Sequence, residues 1–305
     1  SPQPITKQPM KKKSFLLFPS TVAVSFILLT PALHADAITW DPGGANKDCS
    51  TADNWSDNAA ATGDDVTFNA TGASGSGTTN TVDESISINS LSYNFEGANQ
   101  HTTAIADNRT LTVSGNFLLA GSATATTATN VTLTGAAGTL TVGSSTNSIF
   151  QVGQTTPTSG TAATNLLDMS GLGTFNANLG DSGIFRLGPS NNTQFGPVVN
   201  VKLAATSNIT ANILGLGDKT QRSGTFVLKL GSAANTFNVN TISIGPSETG
   251  GRGSGDLSFE TGTGTLQLRA ADGSAAVTAM NLINTSFGTS NNSFMTASYT
   301  VPSTA

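Results

Sequence analysis

Cysteine, histidine and charge are what this chain most lacks. Its one cysteine, Cys49, can close no intrachain disulfide, and a zinc site of clustered Cys and His cannot be assembled. The two histidines are His34 and His101, and only His101 lies outside the leader described below. Charged residues make up 10% of the chain, against about 25% in an average soluble domain. Low charge alone would suit disorder, but disorder pairs low hydrophobicity with high net charge, and here 37% of residues are hydrophobic with a net charge of −5. No long apolar stripe of helical period occurs, and the abundant Thr, Ser, Asn and Gly are weak helix formers. The chain is expected to fold without helices.

What it does have is a short strand-like phrase that returns and ends in glycine. It reads Leu140-Thr-Val-Gly143, Ile149-Phe-Gln-Val-Gly153, Ile184-Phe-Arg-Leu-Gly188, Phe226-Val-Leu-Lys-Leu-Gly231 and Ile242-Ser-Ile-Gly245. A second pattern recurs at Ile86-Ser-Ile-Asn89-Ser90-Leu-Ser-Tyr93 and Phe237-Asn-Val-Asn240-Thr241-Ile-Ser-Ile244, with looser versions ending in Asn178-Leu179 and Asn212-Ile213. Apolar residues alternate, Asn intervenes, and alternation resumes with shifted parity. Such a shift marks a corner that keeps one face inward, and Asn is expected there because it tolerates left-handed backbone. The expected fold is all-β, a parallel β-solenoid of stacked rungs; a β-sandwich of the same short strands is the alternative. Uneven spacing of the glycines fits coils with loops of different length better than the even blades of a propeller.

Met10, Lys11, Lys12 and Lys13, the apolar run Phe15 to Leu33 and the small-residue site Ala35-Asp36-Ala37 have the layout of a secretory signal peptide, with cleavage after Ala37. A membrane anchor is the competing reading, since the run approaches the ~20 residues that span a bilayer. Pro19, Ser20 and Thr21 interrupt it, and no cysteine marks a lipoprotein anchor. Residues 1–9 read as an upstream extension, 10–37 as the signal peptide, 38–81 as an N-terminal cap and 82–305 as solenoid repeats, with truncation at the C-terminus one reading of the last residues. The cap is set apart by Trp40, Trp55, Cys49 and a run of aspartates (41, 48, 53, 57, 64, 65). After Ala37 there remain 9 basic and 17 acidic residues. An acidic mature chain is not expected to bind nucleic acid, whose phosphates require basic patches.

Ile38-Thr-Trp-Asp-Pro-Gly-Gly, Ser50-Thr-Ala-Asp-Asn-Trp-Ser56 and Gly63-Asp-Asp-Val-Thr-Phe68 together resemble the opening of bacterial proteins with autotransporter-associated β-strand repeats. The stretch Phe226 to Gly245, Gly255-Asp-Leu-Ser-Phe259 and Leu266 to Gly273 are similar to the same family. The resemblance covers most of the chain after Ala37. It implies a right-handed parallel β-helix displayed outside the cell, of passenger or adhesin type. One feature departs from that pattern: Ser293 to Ala305 shows neither the ~10-residue alternating strands of a membrane barrel nor a sorting tail.

Catalytic chemistry finds little material. His101, in the stretch Gly97 to Thr103, reads as a solvated loop residue. Cys49, beside Asp48, has no basic partner in sequence to activate a thiolate. The carboxylates to weigh for a polysaccharide hydrolase or lyase are Asp64-Asp65, Asp83-Glu84, Asp168 and Asp181. Glycoside hydrolysis needs two carboxylates across a cleft, and neighbours on a strand point to opposite faces; Asp64-Asp65 therefore reads as a turn stabiliser. Gly250-Gly-Arg-Gly-Ser-Gly-Asp256-Leu-Ser-Phe259 approaches the calcium-binding nonapeptide but has an extra Gly and occurs once, so it reads as a loop between rungs. No catalytic, cofactor or metal residue is expected. The expected function is non-enzymatic surface display, adhesion or matrix contact, with polysaccharide or protein surfaces as partners and outer-membrane attachment through a part not included here. An extracellular carbohydrate-active β-helix is the alternative.

Overall fold

The computed structural model describes residues 35–69, 78–94, 100–119, 129–144, 147–153, 164–190, 196–219, 224–245, 254–261, 263–282 and the strand 296–299. The leader up to His34 therefore lies outside the described residues, as does Gly250 to Gly253.

Among the described residues, twenty-one strands form one parallel system. The chain opens with β1 (Ala37–Thr39) and β2 (Asp65–Asn69). It then visits three faces in turn. The first coil is β3 (Thr78–Val82), β4 (Ile86–Ile88) and β5 (Ser90–Asn94); the next is β6 (Gln100–Ile105), β7 (Thr110–Val113) and β8 (Phe117–Leu119). β9 (Thr129–Val142) bends across the first and second faces before β10 (Ile149–Val152) on the third. β11 (Thr164–Asp168), β12 (Leu172–Asn178) and β13 (Ile184–Leu187) follow. β14 (Val198–Lys202) leads to β15 (Thr206–Leu216), and β16 (Thr225–Leu230) to β17 (Ala234–Ile244); β15 and β17 each span the second and third faces. β18 (Ser254–Phe259), β19 (Thr265–Arg269) and β20 (Ala279–Leu282) make the next coil, and β21 (Thr296–Tyr299) returns to the first face.

Every pairing between these strands is parallel and joins one coil to the next, as in β6 with β9, β11 with β14 and β16 with β18. The architecture is a parallel β-helix, and it excludes the β-sandwich, whose sheets are antiparallel. Trp40 and Trp55 supply the one antiparallel bridge among the described residues.

Register puts like residues above like. On the third face the inward row runs Ile38, Val66, Leu91, Phe117, Phe150, Phe185, Leu214, Ile242 and Met280. Its aromatic middle stacks, with Phe117 and Phe150 centroids 4.6 Å apart and Phe150 and Phe185 4.5 Å apart, both near-parallel. All three are fully buried. The core is thus a column of side chains, each touching its own counterpart one coil away, and Phe is tolerated there because stacked rings fill the rung spacing of about 4.8 Å.

The expected parity shift is seen in β17, where Phe237, Val239, Ile242 and Ile244 are buried around half-exposed Asn240 and Thr241. The physical role of Asn differs from expectation. Among the described residues only Asn58 and Asn108 have left-handed non-glycine backbone, so the corner asparagines do not use it. They use their amides between coils instead: Asn240 Nδ2 donates to Asn212 Oδ1 at 3.2 Å, and the Ala271 N–H donates to Asn240 Oδ1 at 3.1 Å. Asn89 Nδ2 likewise donates to Asp65 Oδ1 at 2.7 Å. Asn178 is not a corner at all: it faces outward in register with Thr210, and its coil turns later, near Gly180 at φ 83°.

The phrase glycines serve three different corners. Gly153, Gly188 and Gly245 close third-face strands with positive φ, and each still donates its N–H to the coil below. Gly231 closes a first-face strand without positive φ; there a Cβ would fall 1.8 Å from the Ala204 carbonyl oxygen.

Replacing Phe150 by Ala removes two ring stacks in the fully buried row. The expected cost is about 3–5 kcal/mol, read as a lowered denaturation midpoint followed by β-type circular dichroism; a loss under 1 kcal/mol would contradict the column of stacked rings as a main source of stability.

Candidate functional site

Three groupings carry the polar chemistry of the described residues. The first is buried at the N-terminal end. Higher in the stack, the inward row of the first face is Val131, Leu167, Val201, Leu228 and Leu257. In the lowest coils the inward positions are Asn80, His101 and Thr103, each about 1% exposed. Asn80 joins them: its Oδ1 accepts from Thr103 Oγ1 and lies 2.7 Å from His101 Nε2, and its Nδ2 donates to Cys49 Sγ at 3.1 Å. An oxygen acceptor at that distance places the proton on His101 Nε2. Because Thr103 donates to Asn80, the Tyr93 hydroxyl donates to Thr103, at 3.0 Å. Trp55 Nε1 closes the group onto the Cys49 carbonyl at 2.9 Å.

This overturns the reading of His101 as a solvated loop residue. It lies in β6 with its imidazole 4.4 Å from the Phe68 ring. The alternation of Gln100-His-Thr-Thr-Ala-Ile105 held the signal, since His101 shares parity with Thr103 and Ile105. Cys, His and Asn are the residue types of a thiol nucleophile and its base, yet this arrangement cannot supply one. Burial pushes the Cys49 thiol up to about 12, with the Asn80 hydrogen bond opposing and Asp83 and Asp48 adding to the rise. Burial lowers His101 to about 3 and raises Tyr93. All three are neutral at pH 7, and a neutral thiol is a poor nucleophile. The adjoining cavity, lined by Cys49, Phe68, Asn80, Leu91, Thr103 and others, is almost wholly apolar and holds no more than about one water. The group fixes structure: it joins the Cys49 loop, bridged to β3 through Asp48 and Thr81, to the first two coils.

The second grouping is a charged ladder on the outer side of the first face. Asp168, Lys202, Lys229 and Ser258 stand in register there. Lys202 Nζ lies 2.7 Å from Glu260 and 3.8 Å from Asp168, and Lys229 Nζ is 3.1 Å from Asp256 and 2.6 Å from Ser258 Oγ. The hydrogen bond that Lys202 donates to Glu260 holds its ammonium above its ordinary value. Two residues apart on one strand, Asp256 and Ser258 share a face, so Gly255 to Phe259 is ladder rather than the loop expected from the glycine run. Asp168 also accepts from the N–H and hydroxyl of Ser170.

The remaining sequence candidates are not brought together. Asp64 accepts from the Asp36 and Thr62 N–H groups, and Asp65 from Asn89 and Ser90, which is turn stabilisation. Asp83 is held below its ordinary value although burial opposes this, because the hydroxyl and N–H of Ser50 both donate to it. Asp181 sits exposed in a turn. Among the described residues, no group of three or more His, Cys, Asp or Glu is placed to hold a metal ion.

The third grouping, a buried ion pair, was missed in sequence. Arg186 donates to Asp218 through Nε and Nη2, both at 3.0 Å, with the two side chains 7% and 8% exposed. The row position next to Arg186 is Gly215, where a Cβ would meet Asp218 Oδ1 at 2.6 Å. The signal was the lone arginine of Ile184-Phe-Arg-Leu-Gly188 and an aspartate just past the next coil's glycine. A bidentate pair this buried is costly to break, since either partner alone is an uncompensated charge.

No family model, curated protein or solved structure matches the chain.

The His101 environment gives a pH test. Its folded value lies below the unfolded one, so the unfolded chain binds more protons between about pH 6.5 and 3, and stability is full above that window and falls through it. Each pH unit there removes about 1.4 kcal/mol. Urea unfolding at pH 7 and pH 4.5 should show this loss in the native chain and a clearly smaller one in His101→Gln, which keeps a donor without a titrating ring. Equal losses in both would rule out His101 as the source.

Proposed function

We propose that this chain is a non-enzymatic, exported β-solenoid that works by surface contact, in display, adhesion or matrix attachment. The observation that carries this reading is the state of its reactive groups. The thiol, imidazole and phenol lie in one buried neutral network, and the carboxylates of the outer ladder are each engaged by lysine or serine. Among the described residues, the outward rows of the second face carry Thr, Asn, Ser and Gln with one charge, Arg269. The leader layout and the resemblance to autotransporter-associated repeats support export and a passenger-like role.

A second reading has one observation in its favour. Asp168, Glu260 and Asp256 share a face with Lys202 and Lys229, which is the residue mixture a polysaccharide hydrolase or lyase uses. Against it, Lys202 stands between Asp168 and Glu260, whereas a hydrolase needs its two carboxyls free across a cleft.

On a panel of neutral and acidic polysaccharides the purified protein should show no turnover. Turnover abolished by Asp168→Asn or Glu260→Gln would replace the contact reading with the enzymatic one. Mass spectrometry of the exported protein should find Ile38 as the new N-terminus, leaving the Ile38 pairing with Val66 intact; a chain that keeps Met10 would overturn cleavage after Ala37 in favour of a membrane anchor.

A further inference from the structure

The second face differs from the other two. Its connections to the first face are short, at 83–85, 106–109, 169–171, 203–205 and 231–233, and single residues (Asn89, Asn212, Asn240) join it to the third face in three coils. Of the longer connections, 120–128, 153–163, 188–197 and 245–253 leave from the third face, and 270–278, in the last complete coil, leaves from the second. There the outward positions Gln151, Arg186 and Ser243 are buried. No outward residue of the second face's rows is.

Those rows are ordered in two directions. One runs Ser87, Thr112, Thr141, Asn176, Asn208, Thr236 and Gln267, each in register with the next. Beside it, two residues away along each strand, runs Thr110, Thr139, Thr174 and Thr206. A third row, Asn178, Thr210, Asn238 and Arg269, flanks the upper coils, and Arg269 is the single charge on the three. Below every row, Leu111, Leu140, Phe175, Ile209 and Phe237 pack inward and hold the strands to the core.

From this we infer that the second face binds ice. The partner of such a surface must be uncharged, must both donate and accept hydrogen bonds, and must repeat in two dimensions over many coils. A folded protein other than a solenoid does not repeat in that way, and the rows carry no aromatic ring on which a sugar of a crystalline glycan could stack. The lattice of hexagonal ice meets all three conditions. Its oxygen spacings are of the same order as the ~4.8 Å between strands and the ~6.7 Å between alternate residues of one strand. Each Thr hydroxyl donates and accepts, and its β-branched side chain is stiff at χ1. The array is therefore already ordered before contact, and little entropy is lost when many weak contacts form together. Within it, Asn208 Nδ2 donates to Asn176 Oδ1 at 2.9 Å, which fixes those amides along the row.

The inference rests on the surface-contact reading, and the two fail separately: polysaccharide turnover would remove that reading, while absence of ice adsorption without turnover would remove only this one. The experiment grows a polycrystalline ice hemisphere slowly from a dilute solution of the full chain and measures uptake into the ice, together with the shape of single crystals. Native protein is expected to enter the ice and facet the crystals. Thr141→Lys and Asn208→Lys, each placing a charge in the central row, are expected to lose both effects with an unchanged circular dichroism spectrum. Thr132→Lys, on the first face, is expected to keep them. Native protein that is excluded from ice overturns the inference, as does adsorption to microcrystalline cellulose in place of ice. Uptake lost in Thr132→Lys but kept in the other two would also overturn it, by moving the contact to the charged face.

Discussion

The structure depends on one constraint: each strand hydrogen-bonds in register to the same strand one coil away. A parallel ladder of this kind satisfies the backbone of every interior strand without helices, and it forces each side chain to lie against its counterpart above and below. Composition follows. Inside, aromatic rings in one row stack on their counterparts, as Phe117, Phe150 and Phe185 do. On the first face, charge outside is answered by the neighbouring coil, as Lys229 is by Asp256. A Cβ is refused where one coil's carbonyl occupies the space, as at Gly231 above Ala204.

Because the ladder transmits register, one misplaced coil would displace all those above it by a residue and turn the core outward. The buried network at the N-terminal end acts against that. Asn80 can satisfy Thr103, His101 and Cys49 together only when β3, β6 and the Cys49 loop stand in a single alignment. Valine and leucine in those places would pack well but would accept a slipped neighbour, whereas a stranded buried amide costs about 1–3 kcal/mol. The Trp40 and Trp55 rings, edge-to-face at 5.0 Å, close the same end with large apolar surface.

Much of this was legible in the sequence. Alternation of period two, the parity shift at Asn240-Thr241 and the returning glycines define stacked parallel strands because each is a local property of the backbone. What could not be read was which phrase stacks on which. Gly143, Gly153 and Gly231 look alike in sequence yet end strands on three different faces, since loop lengths, not strand motifs, set the coil period. Arg186 and Asp218 are 32 residues apart and meet only through that period. His101 was misjudged for a related reason: its polar neighbours Gln100 and Thr102 face outward while it faces in, and parity rather than average polarity decides burial.

The same parity argument separates the roles of one residue type. Thr103 and Thr112 have similar local surroundings in the sequence, but Thr103 points inward and locks a network, while Thr112 points outward and stands in an open row. Inward threonine must find a partner or lose its hydration uncompensated, and Thr103 stands where Asn80 and Tyr93 meet it. Outward threonine is held in place by strand register without needing a partner, and so remains available to a ligand. A chain poor in charge and thiol chemistry, yet rich in outward hydroxyls fixed by a rigid ladder, has its capacity for recognition in geometry. What distinguishes one ligand from another on such a surface is spacing, and that spacing is a property of the β-helix itself.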